Sequence, residues 1–221
     1  LKTNGDGKPI VALDIDGTLG DYHGNFLTFA RHYFARAPEG YDWDATNPGL
    51  PMWEWMGIPL RDYRDAKLAY RQGGWKRWMP CYAGAAELTR AIQSAGAEVW
   101  LCTTRPYLRL DNVDPDTREW LRRNQIHYDA LLFDPMHEED GTKYDELARQ
   151  AGSRVASVVD DLPEMIESSY KAGLCHFPLM GAILRDQPYN RHYENWRRSG
   201  SCEEIQIRVL DDIDRWKIHN G

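Results

Sequence analysis

Short runs of apolar residues, each about the length of a buried strand, recur along this chain and are separated by stretches with helical spacing. IVALDI at 10–15, EVWLCTT at 98–104, ALLFD at 130–134, RVASVVDD at 154–161 and LCHF at 174–177 read as five strands covered on both faces. Between them the apolar positions recur every three to four residues. AGAAELTRAIQSAG at 83–96 puts Leu88 and Ile92 on one face and stops at Gly96. DPDTREWLRRNQI at 114–126 opens with Asp114 as N-cap and Pro115 at the first helical position. Segments 142–152 and 162–173 each end at a glycine, and 201–216 aligns Ile205, Val209, Ile213 and Trp216 in one stripe. This alternation predicts an α/β, three-layer, Rossmann-like parallel sheet, with ligands bound beyond the carboxyl ends of its strands.

The alternation fails between residues 20 and 80. That segment holds no convincing strand, but helical stretches, Pro and Gly punctuation, and the rings of Trp43, Trp53, Trp55, Tyr63, Tyr70, Trp75 and Trp78. It predicts a small helical cap inserted after the first strand, leaving 1–19 and 81–221 as the core. Of 221 residues, 42% are hydrophobic, an ordinary soluble composition, and no apolar run approaches the length of a membrane span. The net charge of −7 argues against a broad grip on DNA or an anionic membrane. Cys81, Cys102, Cys175 and Cys202 form no CxxC pair, which predicts reduced thiols and a cytoplasmic setting. LKTNGDGKP at the start reads as a frayed polar tail, not a signal peptide. Nothing in the pattern speaks to oligomeric state.

The first strand ends on Asp14 and Asp16, one residue apart, where carboxylates repel and are costly to desolvate. A divalent cation explains the pair; a turn or a cap would also use such residues. A calcium loop is disfavoured, because Leu19 and Gly20 stand where further oxygen ligands belong. Other polar groups meet at the same predicted edge. Thr103, Thr104 and Arg105 close the second strand, Lys143 opens a helix against its dipole, and Asp160 and Asp161 end the fourth strand. Each has an ordinary structural use. Together they suit an anionic, phosphorylated ligand held with Mg²⁺. His23, just past the first motif, could face the cleft but reads first as an exposed loop residue; His137 reads as loop, Asp134 as a turn residue ending the third strand, and His192 is a weak substrate candidate.

The ordered set DIDGTLG, LCTT, the Lys of GTKYDE and VVDDLP resembles the haloacid dehalogenase (HAD) superfamily of phosphotransferases over roughly 10–20 and 80–180. That resemblance implies Asp14 as nucleophile, Asp16 as acid and base, and Mg²⁺ held by Asp14, the Asp16 carbonyl, Asp160 and Asp161. It also implies phosphoryl oxygens held by Thr103, Thr104, Arg105 and Lys143. An Asp at position 16, where family ATPases carry Thr, implies a phosphatase. LRDQPYNRHYENW at 184–196 is similar to a segment of the 5′(3′)-deoxyribonucleotidases. It implies a small phosphate ester, a deoxynucleoside monophosphate, as substrate, with Trp53, Trp55, Trp75 and Trp78 as candidate stacking rings. TTRP with TREWLRRNQIHYDALLF resembles polynucleotide 3′-phosphatases instead, implying a nucleic-acid end as substrate. Arg105, Arg109, Arg118, Arg122 and Arg123 would be its basic cluster, or simply a solvated face. A nucleotide binder that has lost catalysis is the third reading.

Overall fold

The computed structural model describes residues 7–34, 51–106, 110, 112–133, 141–175, 181–194 and 196–220. The apolar runs become β1 (Ile10–Leu13), β2 (Glu98–Thr103), β3 (Ala130–Phe133) and β4 (Val155–Asp160), with β5 (Ala182–Arg185) and a short β6 (Arg198–Ser199) beyond them. They form one six-stranded parallel sheet in the order β3-β2-β1-β4-β5-β6. β1 lies between β2 and β4, so the ends of the three chemically distinctive strands are neighbours.

The fifth strand differs from the sequence reading. Leu174 and Cys175 lie in the turn after a helix, His176 and Phe177 lie outside the described residues, and the strand is Ala182–Arg185. Both segments are short and apolar. What separates them is pairing, with Val158, Val159 and Asp160 in register with Ala182, Ile183 and Leu184.

Helices α1 (Tyr22–Tyr33), α2 (Met52–Trp55), α3 (Leu60–Gln72) and α4 (Ala85–Ser94) lie between β1 and β2. α5 (Val113–Arg123), α6 (Lys143–Ala151), α7 (Pro163–Lys171) and α8 (Cys202–Asn220) follow the later strands. Alternating residues of β1 face opposite cores. Val11 and Leu13 pack with Leu88, Ile92, Trp120, Ile205, Val209 and Ile213; Ile10 and Ala12 pack with Tyr144, Leu147 and Ile166. The result is the expected three layers. α5 begins two residues earlier than expected, with Asn112 and not Asp114 at the N-cap, and Asp114 pairs with Arg118 at 2.9 Å. Pro115 falls at the third helical position, still within the first turn, where no amide needs an intrahelical acceptor.

α1, α2 and α3 carry a core of their own: Phe26, Leu27, Phe29, Met52, Met56, Ala66 and Tyr70. The chain leaves and re-enters the sheet region side by side. Asp21 N–H donates to the Pro80 carbonyl at 2.8 Å and Tyr82 N–H to that of Leu19 at 2.9 Å. Trp120 of α5 pins this crossing, because its indole N–H donates to the Met79 carbonyl at 2.6 Å while the ring is fully buried. No helix among the described residues is long and apolar enough to cross a membrane. All four cysteines are free.

Urea denaturation checks the role of Trp120. Trp120→Ala should lose about 3–5 kcal/mol through the cavity it leaves. Trp120→Phe should lose about 1–3 kcal/mol by leaving the Met79 carbonyl without its donor.

Candidate active site

The carboxyl edge of the sheet gathers four aspartates. Asp14 follows β1 and is 4% exposed; Asp160 ends β4 and Asp161 follows it, both buried. Oxygens of Asp14, Asp160 and Asp161 lie within 4.8 Å of one another. Asp16 stands beside them behind Ile15.

One cation serves the first pair. Thr142 caps α6 through a capping box with Asp145, which fixes Lys143 at the first helical position. From there its Nζ reaches Asp14 Oδ1 at 2.5 Å, Asp160 Oδ2 at 2.7 Å and the Cys102 carbonyl at 3.2 Å. Burial works against the ammonium, but the two carboxylates outweigh it and raise Lys143 above its ordinary range. Asp160 is further engaged by Tyr144 Oη at 2.6 Å and by the Leu162 amide at 2.9 Å. Asp161 accepts from the Tyr189 hydroxyl and from Thr18 Oγ1 at 3.3 Å.

Gly17 allows this closeness. Its φ of 96° is left-handed, and a Cβ there would run into the Asp161 carboxylate and the Tyr189 hydroxyl. Gln187 Nε2 donates to the Gly17 carbonyl at 2.6 Å, and Asn190 Nδ2 to the Asp161 carbonyl at 2.7 Å. The 186–191 stretch thus clamps the turn after β1 to the end of β4.

Asp16 is held by different groups. Arg105 grips it with Nε at 3.1 Å and Nη2 at 2.6 Å, and Lys76 donates to the same carboxylate. Burial alone would raise Asp16, but Arg105 and then Lys76 pull it well below the usual carboxylate range. Lys76 is only 4% exposed, and burial, opposed by Asp16 but reinforced by Arg105, brings it down to about 7. Its ammonium also sits 4.1 Å from the Tyr22 ring centroid. Lys76 escaped sequence reasoning because it lies in the turn Trp75–Trp78, between two rings that drew the attention, with no periodicity to mark it.

A cavity of about 460 Å³ opens over Asp16 and Asp161, within the range of small-molecule sites. Thr104, Arg105 and Lys76 also line it; Asp14, Thr103 and Lys143 are buried and do not. Thr103 Oγ1 accepts from the Arg105 amide at 3.3 Å.

Three of the four expected tryptophans do not line the cavity. Trp53 does not line the cavity, Trp75 packs against Phe29 and Tyr70, and Trp78 is 62% exposed with Arg123 over its ring. The Trp55 side chain, Trp43, Arg109, Asp134 and His137 lie outside the described residues. The rings that do line the cavity include Tyr22, Tyr63, Tyr189, His192 and Tyr193. His23 joins them. It is not an exposed loop residue but part of the first turn of α1, half-buried, with its ring 4.2 Å from that of Tyr189. Burial lowers it to about 3, so it is neutral. On α5, Arg118 and Arg122 pair with Asp114 and Glu119 of their own helix, as a solvated face would.

The fold is shared with solved structures. The chain has the haloacid dehalogenase-like fold. One such structure is a haloacid dehalogenase-like hydrolase from Streptococcus pneumoniae, with TM-score 0.61, 13% identity, and coverage of 90% of this chain and 97% of that one. Another is the D,D-heptose 1,7-bisphosphate phosphatase of B. bronchiseptica, complexed with magnesium and phosphate, with TM-score 0.54, 14% identity, and coverage of 92% and 99%. No family profile matches the chain. A protein of Oceanobacillus iheyensis named "Putative nucleotidase OB0422" is 28% identical over 120 residues. The match spans 54% of this chain and about half, 56%, of that relative.

The all-oxygen donor set of the HAD-like fold's acidic nest fits a hard divalent cation. Burial, opposed by Lys143 but reinforced by Asp160 and Asp16, raises Asp14 to about 7, and burial with Asp160 and Asp14 raises Asp161. A cation bound there would offset that repulsion. Protons compete with it while Asp14 is protonated, so cation binding should strengthen as pH rises through about 7. Differential scanning calorimetry with MgCl₂ should therefore show little stabilisation at pH 5.5 and more at pH 8, on the order of 2.7 kcal/mol at a hundredfold excess over Kd. Asp161→Asn should abolish most of it.

Proposed function

We propose that this chain is a Mg²⁺-dependent phosphomonoesterase that acts through an aspartyl-phosphate on Asp14, with deoxynucleoside monophosphates as substrates and residues 20–80 as its cap. The observation that carries this reading is the meeting of Asp14, Lys143, Asp160 and Asp161 beside Asp16 at the edge of one cavity. A structural use of these residues does not require three buried carboxylates at one strand edge with a fourth, Asp16, beside them.

Asp14 is the nucleophile. Its Oδ1 is held by Lys143, which orients the carboxylate and neutralises charge as a phosphate dianion approaches. Asp14, Asp161 and the Asp16 carbonyl, with Asp160 beside them, would hold Mg²⁺, which would supply charge neutralisation for the phosphoryl group. Thr103, Thr104 and Arg105 supply donors for the non-bridging oxygens; Thr104 and Arg105 already line the cavity.

Asp16 is the acid and base, and its partners pose a constraint. While Arg105 and Lys76 grip it, Asp16 holds no proton to give. A phosphate ester in the cavity offers both cations a competing dianion. As they turn toward it, Asp16 recovers its proton affinity and can take up a proton from solvent. Asp16 then protonates the leaving alcohol and afterwards takes a proton from the attacking water.

The nucleotide assignment rests on the DQPYNR segment, on rings beside the cavity suited to a base, and on the distant nucleotidase match. Phosphate release should be assayed on 5′- and 3′-deoxynucleotides, ribonucleotides, sugar phosphates and a 3′-phosphorylated oligonucleotide. Expected is Mg²⁺-dependent release concentrated on free deoxynucleotides, abolished by chelator and lowered at least ~10⁴-fold in Asp14→Asn. Equal release from sugar phosphates would sink the nucleotide assignment, and release mainly from the oligonucleotide would move it to nucleic-acid ends.

A further inference from the structure

The cavity holds more positive charge than one reacting phosphate uses. Arg105 and Lys76 are committed to Asp16, and Lys143 to Asp14 and Asp160. Two further cations, Lys67 and Arg71, line the same cavity from α3. They stand at i and i+4 on one helix face, where like charges repel. Both are half-buried, and neither side chain has a carboxylate within ion-pair distance among the described residues. The Lys67 ammonium lies over the Tyr63 ring, 5.3 Å from its centroid. Burial, with Arg71 beside it, lowers Lys67 to about 8, a cost that a nearby anion would remove. The other acids at the cavity are Asp16, Asp161 and Glu164. Asp16 and Asp161 have partners of their own, and Glu164 pairs with neither cation.

We infer that Lys67 and Arg71 form a second anion subsite, so that among small phosphate esters this protein binds most tightly one bearing another anionic group on its non-reacting part, a monophosphate filling only the reacting end. The inference deepens the phosphomonoesterase reading and rests on it for which end reacts. The aspartates and Lys143 mark the reacting end on the sheet edge, while Lys67 and Arg71 belong to the helical layer. A ligand charged at both ends would bridge the two, with Tyr22 and Tyr63 beside its middle. Two sources supply this chemistry, a nucleoside bisphosphate or a sugar bisphosphate.

Binding separates this inference from the reaction. Calorimetry on the full chain carrying Asp14→Asn, in MgCl₂, would compare a deoxynucleoside 3′,5′-bisphosphate with its 5′-monophosphate, and a pentose bisphosphate with its monophosphate. In at least one series the bisphosphate should bind at least tenfold more tightly, and the favoured series identifies the source. Lys67→Met with Arg71→Met removes both charges while keeping an unbranched aliphatic chain at each position, and should bring that ratio close to one. Equal affinities in both series, or no binding by any ligand, would overturn the subsite. A preference that survives the double variant would overturn its assignment to Lys67 and Arg71. Phosphate release by the unaltered chain is read separately. Its absence beside a retained binding preference would end the phosphomonoesterase reading and leave the subsite standing.

Discussion

Four carboxylates within one buried sheet edge are the constraint to which the rest of the molecule answers. Asp14, Asp160 and Asp161 are almost wholly removed from water; Asp160 and Asp16 raise the cost of ionising Asp14, and Asp160 and Asp14 that of ionising Asp161. An unpaired buried charge costs several kcal/mol, so the surrounding elements must supply cations and donors in a fixed geometry. α6 supplies Lys143, α7 supplies the Leu162 amide through the turn before it, and the segment after β5 supplies Tyr189 and Asn190. The parallel order that places β1 between β2 and β4 lets such distant segments meet.

The division of cations follows from the same constraint. Lys143 is enclosed between two carboxylates and stays charged, a fixed part of the site. Lys76 shares Asp16 with Arg105, which grips that carboxylate in two places, so the lysine is the weaker-held partner. It comes from the helical layer and Arg105 from the sheet edge. The Asp16 cluster is therefore both a catalytic candidate and a contact joining the two parts of the molecule across the cavity.

Much of this was legible in the chain. Four strands announced themselves because a strand covered on both faces reads as a continuous apolar run, and the polar residues ending three of them fell at one edge. Lys143 stood out because a lysine in a first helical turn opposes the dipole. The fifth strand was misplaced because LCHF and AILR carry the same signal, and only pairing to β4 separates them. The tryptophans misled for a physical reason. A large ring serves a small helical core well, and Trp75 is spent on Phe29 and Tyr70. Tyrosines, with a polar tip that tolerates a wet wall, line the cavity instead. Lys76, Lys67 and Arg71 were illegible, since a cation in a helical segment looks solvated until the opposite wall is known.

That last point governs how such a site can be read. Motif residues are recognisable because the chemistry at the sheet edge fixes their type and place. The insertion carries no such fixed demand, so its sequence is ordered first by its own core. What remains for a ligand is whatever that core leaves facing the cavity: here tyrosine rings and two cations that no carboxylate among the described residues pairs with. Beyond the Tyr63 ring over which Lys67 lies, no ion pair among the described residues rewards charge at Lys67 and Arg71, and their mutual repulsion opposes it. Charge kept against that repulsion is what a second anion subsite would need.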